Sequence, residues 1–495
     1  MADLVRGVSY KKQDARAYAS SDHKPILRAN NINGVINYDD LVHVPSSLIS
    51  DNQMLRSGDI LFAMSSGSRH LVGKSALVKN DIDAGFGAFC GVLRSSGEIS
   101  AKFLFWVFQT GEFRRAISEV AKGSNINNLK REHLLDYEVP IPPLAEQKRI
   151  VAKIEELFSE LDAGEERLRK ARRQLGVYRQ SLLKQAFEGK LTEKWRTENP
   201  AQLETPDQLR KRIQTERQLD YAKQIREWEK GKRTQKKASK PSEPKLIEGL
   251  TANEIAQLDP PEGWATERIG NCPTDSLIGL VRSATEQSTD PSGVSYIKMD
   301  RVDMLGSVDL RADVFVSCTD EEIERFQLRQ GDILFNTRNS VELVGKTAVL
   351  RGDPAVPTVY NNNLMRIRLP DCVDPIFVGL QLCAKPFRQR MEQVKKATTS
   401  VAAIYGKDFW PLPIVFPSLP EQREIVRFLD QQFEVIERNE REIDGALRRS
   451  EALRQSILKK AFSGQLVPQD PTDEPASELL ARLRTQKSIK PTRRG

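Results

Sequence analysis

Cysteine is scarce in this chain and scattered. The five residues Cys90, Cys272, Cys318, Cys372 and Cys383 among 495 form no CxxC pair. That spacing argues for reduced thiols and against a zinc site or a disulfide framework. Histidine is rarer still, four in all, also scattered, so no metal centre is expected. No apolar run approaches the ~18 residues of a membrane span; the greasiest short stretch, "KFLFWVF", suits a buried helix segment. The first residues, "MADLVRGVSYKK", carry no apolar signal core. The chain is therefore expected to be cytoplasmic.

One further absence decides a motif. Residues 65–78, "SSGSRHLVGKSALV", end in the Gly-Lys-Ser of a phosphate-binding loop. Such a loop needs a glycine five places before the second glycine, where the backbone begins to wrap the phosphates. Counting back from Gly73 that place is Ser68, and Gly67 lies one residue too early. The stretch returns as "TRNSVELVGKTAVL" at 337–350, with Ser340 at the corresponding place. Both copies keep Val-Gly-Lys-Ser/Thr and both lack the required glycine, which weighs against a stand-alone ATP-using enzyme.

What is present is a doubled chain. Its length exceeds a single core, and with 39% hydrophobic and 29% charged residues it has the balance of a soluble protein rich in exposed helix. The net charge is +8, which raises the odds of a polyanionic partner. "LRSGDILF" (55–62) matches "LRQGDILF" (328–335) at seven of eight positions, at an offset of 273. "PLAEQKRIV" (143–151) matches "SLPEQREIV" (418–426), and "YRQSLLKQAFEGKL" (178–191) matches "LRQSILKKAFSGQL" (453–466), both at an offset of 275. Matches in one order at nearly one offset mean two homologous halves. Each opens with a globular part of mixed α/β character, about 1–140 and 262–415, in which "GDILF" and "VGKSALV" suit strands joined by a polar loop. "KFLFWVFQTGEFRRAISEV" and "IFVGLQLCAKPFRQRMEQV" suit helices packed on them.

The second part of each half is helical. Ile154, Leu161, Leu168, Leu175 and Leu182 recur every seven residues, and their counterparts are Leu429, Ile436, Ile443, Ser450 and Ile457. A second line runs through Leu157, Ala171 and Tyr178, with Ala446 and Leu453 opposite in the repeat. A seven-residue period is the mark of helices that wind on one another; Gly164 and Ser450 interrupt the seam. Ser418-Leu-Pro-Glu421 has the pattern of a capping box, and Gly189 and Gly464 stand where a left-handed cap would close each helix. The signals predict helices over about 143–188 and 418–463, each about 65 Å long at the usual rise. Such rods need a partner, and an antiparallel pairing of the two copies supplies it. Between the halves a charged helix candidate gives way, from 230 on, to Lys, Arg, Ser and Pro, which suits a solvated tether more than a DNA-binding arm. The tail from Val467 is expected to be a strand or loop, then a weak helix "ASELLARLRTQ", then disorder.

Two copies of "GDILF…VGK[ST]", each followed by "PLxEQ[KR]xIV" and a long helix ending "QS[LI]LKxAFxGxL", resemble the specificity subunit of a type I restriction–modification enzyme. The "AFEGKLTEKWR" junction and the "PQDPTDEPASELL" tail are similar to the enterobacterial branch. The resemblance covers nearly the whole chain. It implies an α/β (mixed α+β) architecture: two target recognition domains separated by two long antiparallel coiled-coil helices in a pseudo-twofold repeat. The division it implies is recognition domain 1 over 1–142, spacer helix 143–190, charged helix and basic linker 191–261, recognition domain 2 over 262–417, spacer helix 418–466 and tail 467–495. One departure stands out: the second half opens with "PPEGWATERIG", whereas the first, aligning from about Ser276, lacks the Gly-Trp strand.

The resemblance implies a non-catalytic DNA-recognition subunit that binds double-stranded DNA, two methyltransferase subunits and restriction/translocase subunits. S-adenosylmethionine, ATP and Mg are implied for those partners and no cofactor for this chain. The residues agree. An adenine methyltransferase would carry Asn/Asp-Pro-Pro-aromatic, and neither "IPPLAEQ" nor "DPPEGW" has the aromatic. Base and phosphate contacts need Arg, Lys, Asn, Gln, Ser or Thr on loops. Candidates after "GDILF" are Ser66, Ser68 and Arg69, then Thr337, Arg338 and Asn339; Lys74 and Lys346 follow on the return strands. The loops before the long helices add Asn125, Asn127 and Thr399, and a third group holds Arg28, Asn31, Lys298 and Arg301. "VYNNNLMR" suits only a turn. A coiled-coil scaffold binding only proteins is the alternative; it explains the helices but not two α/β domains with divergent loops.

Overall fold

A computed structural model describes residues 2–66, 71–95, 97–121, 127–233, 240–311 and 313–489. Ser68, Arg69 and Asn125 lie outside the described residues, as does the side chain of Asn127. The chain divides into two compact units, one of residues 1–170 with 442–495, the other of residues 171–441. Each holds one globular part and a stretch of both long helices.

In the first unit, β1 (Ala2–Arg6), β2 (Ile60–Ala63), β3 (Ser65–Ser66), β4 (Ser75–Leu77), β5 (Cys90–Ser95) and β6 (Asn127–Asn128) follow in chain order. A four-stranded sheet has the order β1-β5-β2-β4, antiparallel throughout. The second unit repeats it. The strands that matter here are β7 (Ala265–Arg268), β8 (Asp275–Ile278), β9 (Ile333–Asn336), β10 (Arg338–Asn339), β11 (Thr347–Val349), β12 (Leu364–Arg368), β13 (Lys396–Ala397), β14 (Ala402–Ala403) and β15 (Pro413–Phe416). Here the sheet order is β8-β12-β9-β11, again antiparallel.

The "GD" of the repeated "GDILF" has a physical reason. Gly58 and Gly331 take left-handed turns at φ 84° and 85°, which puts Asp59 and Asp332 under the sheet, each 1% exposed. A buried carboxylate needs a partner. Asp59 accepts two bonds of 2.7 Å from Arg94, and Asp332 accepts bonds of 2.6 and 3.1 Å from Arg368. "ILF" then alternates into two cores, with Phe62 and Phe335 fully buried.

"KFLFWVFQTGEFRRAISEV" forms two helices, Ala101–Val107 and Gly111–Val120, because Thr110 caps the second by accepting from the Phe113 N–H. The other copy breaks likewise into Pro375–Cys383 and Lys385–Val394. β7 pairs with β15, and Trp264, 4% exposed, packs its ring edge-on to Phe377 at 6.1 Å. The first unit has no strand corresponding to β7 among its described residues.

The long helices span Leu144–Phe187 and Leu419–Phe462, 44 residues each. Their repeated glutamines tie each helix start to its own globular part. Gln147 accepts from the Ser100 N–H at 2.9 Å and donates to the Pro142 carbonyl at 2.9 Å; Gln422 does the same with Asp374 at 2.8 Å and Pro417 at 2.9 Å. In the first unit Ser450 donates to Glu165 at 2.8 Å while Arg454 reaches Asp162, so the two stretches run antiparallel. In the second, Tyr178 meets Gln432 and, just past the helix, Thr192 meets Glu421, in the same antiparallel sense. The main apolar line is buried at Ile154, Leu182, Leu429, Ile436, Ile443 and Ile457. The second line is open at Tyr178 (47% exposed) and Leu453 (49%), because the neighbouring arginines fill the seam. Arg179 lies 4.1 Å over the Phe433 ring, and its counterpart Arg454 lies 4.9 Å over Phe158.

Two expectations change. The capping box at Ser418 is not made: the Glu421 carboxylate is taken by Thr192 and Arg196 at 2.6 Å each, and the Ser418 hydroxyl has no partner among the described residues. The tail helix forms as expected but is not weakly held. Helix Ala476–Ile489 buries Leu479 (0% exposed) and Leu483 (3%) in the first unit's core. Its counterpart in the second unit is the start of helix Pro206–Arg233, which buries Leu209 and Ile213. Gly189 and Gly464 do take left-handed backbone, at φ 67° and 75°.

Candidate nucleic-acid interface

The two polar loops of each half meet. In the first unit β3 pairs with β6, placing Ser66 opposite Asn127 and Ser65 opposite Asn128, and the Ser65 hydroxyl donates to Asn128 at 2.7 Å. In the second unit β10, β14 and β13 form a three-stranded sheet in that order. The loop after "GDILF" and the loop before the long helix therefore build one platform, in each half. Strands of two residues, separated by more than sixty positions, leave no local sequence signal that they pair.

A turn on the adjoining strand connection anchors each platform. The Phe89 carbonyl accepts the N–H groups of Met64 at 2.8 Å and Ser65 at 3.2 Å; in the second unit the Asn363 carbonyl accepts the Thr337 N–H at 2.9 Å and hydroxyl at 3.1 Å. Both sit third in a β-turn, closed by Cys90 N–H to Gly87 at 2.8 Å and Leu364 N–H to Asn361 at 3.0 Å. The backbone is the same and the side chains are not: Phe89 is 65% exposed, whereas Asn363 is half-buried. The "VYNNNLMR" stretch is thus strand, anchoring turn and β12 rather than a turn alone. A large exposed ring opposite a polar anchor was the available signal.

Gly-Lys-Ser/Thr is the return of the platform loop. Gly73 and Gly345 have φ 75° and 83°, and their N–H groups close onto the Ala63 and Asn336 carbonyls at 2.8 and 2.9 Å. A side chain at Gly73 would meet Ile117 Cγ2 at 2.6 Å. The chain then enters β4 or β11. Lys74 donates to Asn33 Oδ1 at 2.9 Å. Lys346 is 5% exposed and donates to the Met299 carbonyl at 2.7 Å; burial pushes its ammonium below the ordinary lysine range. Its amine braces the fold and is not offered to solvent.

The remaining candidates divide by exposure. Arg338 is exposed, and its guanidinium has no ion pair or hydrogen bond among the described residues. Thr399 is exposed in the tight turn Thr398–Val401, closed at 2.8 Å. Thr337 and Asn339 are half-buried; Asn339 donates to Asn336 at 2.9 Å. Ser66 is half-buried in β3. Among the described residues no bond joins the third group to the platforms. Asn31 is 1% exposed, and its amide joins the Arg28 N–H to the Asp39 carbonyl, a loop closure. Arg28 pairs with Asp40 at 2.8 Å. Arg301 pairs with Asp309 at 3.0 Å and with Asp313, and Lys298 reaches Gln287 at 3.5 Å. Sequence reasoning passed over Lys396, Val401 and Tyr405, all exposed on the second platform.

A family model described as the type I restriction modification DNA specificity domain matches residues 3–170 and 286–446. The chain is 32% identical over 497 residues to the type I restriction enzyme EcoKI specificity subunit of Escherichia coli (strain K12), covering 98% of this chain and 93% of that protein. It is 28% identical over 502 residues to the StySPI specificity subunit of Salmonella potsdam, with the same coverage of 98% and 93%. Among solved structures, a chain from work on complex assembly and conformational transition of the type I R-M system superposes with a TM-score of 0.59. It shares 20% identity, over 94% of this chain and 98% of that one.

Proposed function

The chain belongs to the type I restriction–modification DNA specificity family, whose role is DNA recognition, and we propose that each of its two units reads one half of a bipartite, gapped DNA target. The observation that carries this reading is the platform made twice on the same backbone anchors with different side chains: Ser65, Ser66 and Phe89 in one unit, Thr337, Arg338 and Asn363 in the other. Equal scaffolds with unequal surfaces suit two unlike half-sites, as paired modules read half-sites about a helical turn apart. The long helices set the unread gap and dock two methyltransferase subunits. Methylation of adenine then falls to those S-adenosylmethionine-using partners, and cleavage to ATP- and Mg-dependent restriction/translocase subunits; this chain supplies recognition without catalysis, in the cytoplasm. Ser66, Arg338, Asn339, Thr399 and Lys74 are the contacts this reading favours, with Ser68, Arg69, Asn125 and Asn127 on the same loops. No helix among the described residues is long and apolar enough to cross a membrane.

The test is a map of methylated adenines in DNA exposed to the assembled complex. The reading expects two adenines, one in each of two short segments separated by a fixed gap. Arg338→Ala then relaxes one segment only, by about 1–3 kcal/mol for a bidentate base contact. Equal loss at both segments refutes that role, and binding that does not weaken with salt refutes phosphate contact.

A further inference from the structure

The pairing register of the second platform decides what it shows to a ligand. Arg338 stands opposite Ala403, and Ala403 opposite Lys396. Opposed residues in a sheet project to one face, as do residues two apart along a strand. Arg338, Ala403 and Lys396 therefore share a face. Val401 and Tyr405 join it from either side of Ala403, since Tyr405 is still extended at φ −86°, ψ 151°. A contact bears this out: the Lys396 ammonium lies 5.8 Å from the Tyr405 ring centroid, with the Asp408 carboxylate 3.4 Å away as its other neighbour.

On this face Val401 and Tyr405 are 44% and 46% exposed beside exposed Arg338 and Lys396, with Ala403 covered between them at 8%. The other face is closed, with Ala402 at 1% and Ile404 at 2%. A phosphate-binding surface would need only the cations. Val401 and the Tyr405 ring, set among those cations, suit an apolar group on the ligand, and in the major groove the single such group is the 5-methyl of thymine. We propose that this face is the base-reading surface of the second unit, with Val401 and Tyr405 holding a thymine methyl beside Arg338. The inference rests on the reading that this unit contacts duplex DNA. The strands that pair in the first unit, Ser65–Ser66 with Asn127–Asn128, are polar in sequence throughout, so methyl reading through this set of strands belongs to one half of the target.

The experiment uses the full chain assembled with its methyltransferase subunits. Each thymine of the target is replaced in turn by uracil, which lacks only the methyl group, and binding is compared between the unaltered complex and Val401→Ala. One replacement, in one half-site, is expected to weaken the unaltered complex about fourfold, the factor that one buried methyl carries. The same replacement leaves the already weakened Val401→Ala complex unchanged. Val401→Thr, which keeps the branched shape, retains the discrimination and serves as the fold control. The inference is overturned if the unaltered complex prefers its target yet no uracil matters. It is equally overturned if uracil costs the same in both complexes, or if neither half-site contains a thymine. Absence of any sequence preference in the unaltered complex overturns the functional reading itself, a distinguishable result.

Discussion

The tail helix gives the sharpest test of how the first unit is held together. Leu479 and Leu483 are 0% and 3% exposed and share a core with Phe103, Ile150, Ile154 and Leu458. They are one helical turn apart, so both enter on the same face. A fully buried Leu→Ala change costs about 2–5 kcal/mol, the transfer term plus a residual cavity. A domain is stable by only about 5–15 kcal/mol, so Leu479→Ala with Leu483→Ala should consume much or all of the margin. Arg149 would hold the segment before the helix, through Asp473 at 2.6 and 3.2 Å, but an ion pair with one partner a third exposed does not replace two buried leucines. The assay is hydrogen exchange read peptide by peptide, since a chain of two units has no single melting point. Leu479→Ala alone should raise exchange of the slowest amides in β2 and β5 by roughly thirtyfold to several-thousandfold, and leave β9 and β12 unchanged. If β2 and β5 keep their protection, the tail is not part of that core and the reasoning fails.

Other outcomes follow from single contacts. Gly345→Ala forces a side chain into left-handed backbone at φ 83°, 3.2 Å from Ile404, and should cost about 1–3 kcal/mol; the loss is read by exchange of the slowest amides in β9 and β12, and millimolar ATP should not alter it. Arg179→Ala removes the cation over Phe433, and Arg454→Ala the one over Phe158 with its pairs to Asp162 and Glu165; each should cost about 1–3 kcal/mol in its own unit alone, measured by exchange in the two units. Burial pushes the thiols of Cys90, Cys372 and Cys383 up to about 12 and that of Cys272 upward too. At pH 8 they stay protonated, so iodoacetamide should modify half-exposed Cys318 first and the other four only after denaturation.

The legible features were those with a period. A seven-residue spacing marks the long helices to within a residue at each end, and repetition at one offset marks the doubled globular parts. What escaped was made by partners distant in the chain. Glu421 has the local pattern of a capping box, yet Arg196 and Thr192 arrive from more than two hundred residues away and take its carboxylate. Lys346 looked like a phosphate ligand because lysine is usually solvated; the Met299 carbonyl, 47 residues upstream, holds it inside. Asn31 is likewise taken up by a loop closure at 1% exposure, and polarity alone does not tell a loop closure from a reader. The tail helix looked weak because only two of its leucines carry it, and no propensity scale sees the core they enter.

The repeated contacts and the unrepeated ones fall in different places, and that separation has a consequence. Asp59–Arg94 and Asp332–Arg368, Gln147 and Gln422, and Arg454 and Arg179 do equivalent work in the two units, all with buried or partly buried side chains. Gln455 and Gln180 likewise accept from the Gly111 and Lys385 N–H groups, at 2.9 and 3.1 Å. Changing Arg94, Arg368, Gln147 or Gln422 strands a buried or partly buried polar partner, at about 1–3 kcal/mol or more. Platform positions such as Arg338, Thr399, Val401 and Phe89 face water, where a substitution leaves stability within about 0.5 kcal/mol. The platform can therefore vary while the frame stays constant. An exchange of side chains between the half-buried to exposed positions of β10 and β3, or between Asn363 and Phe89, should change which bases are preferred without changing the exchange protection of either four-stranded sheet.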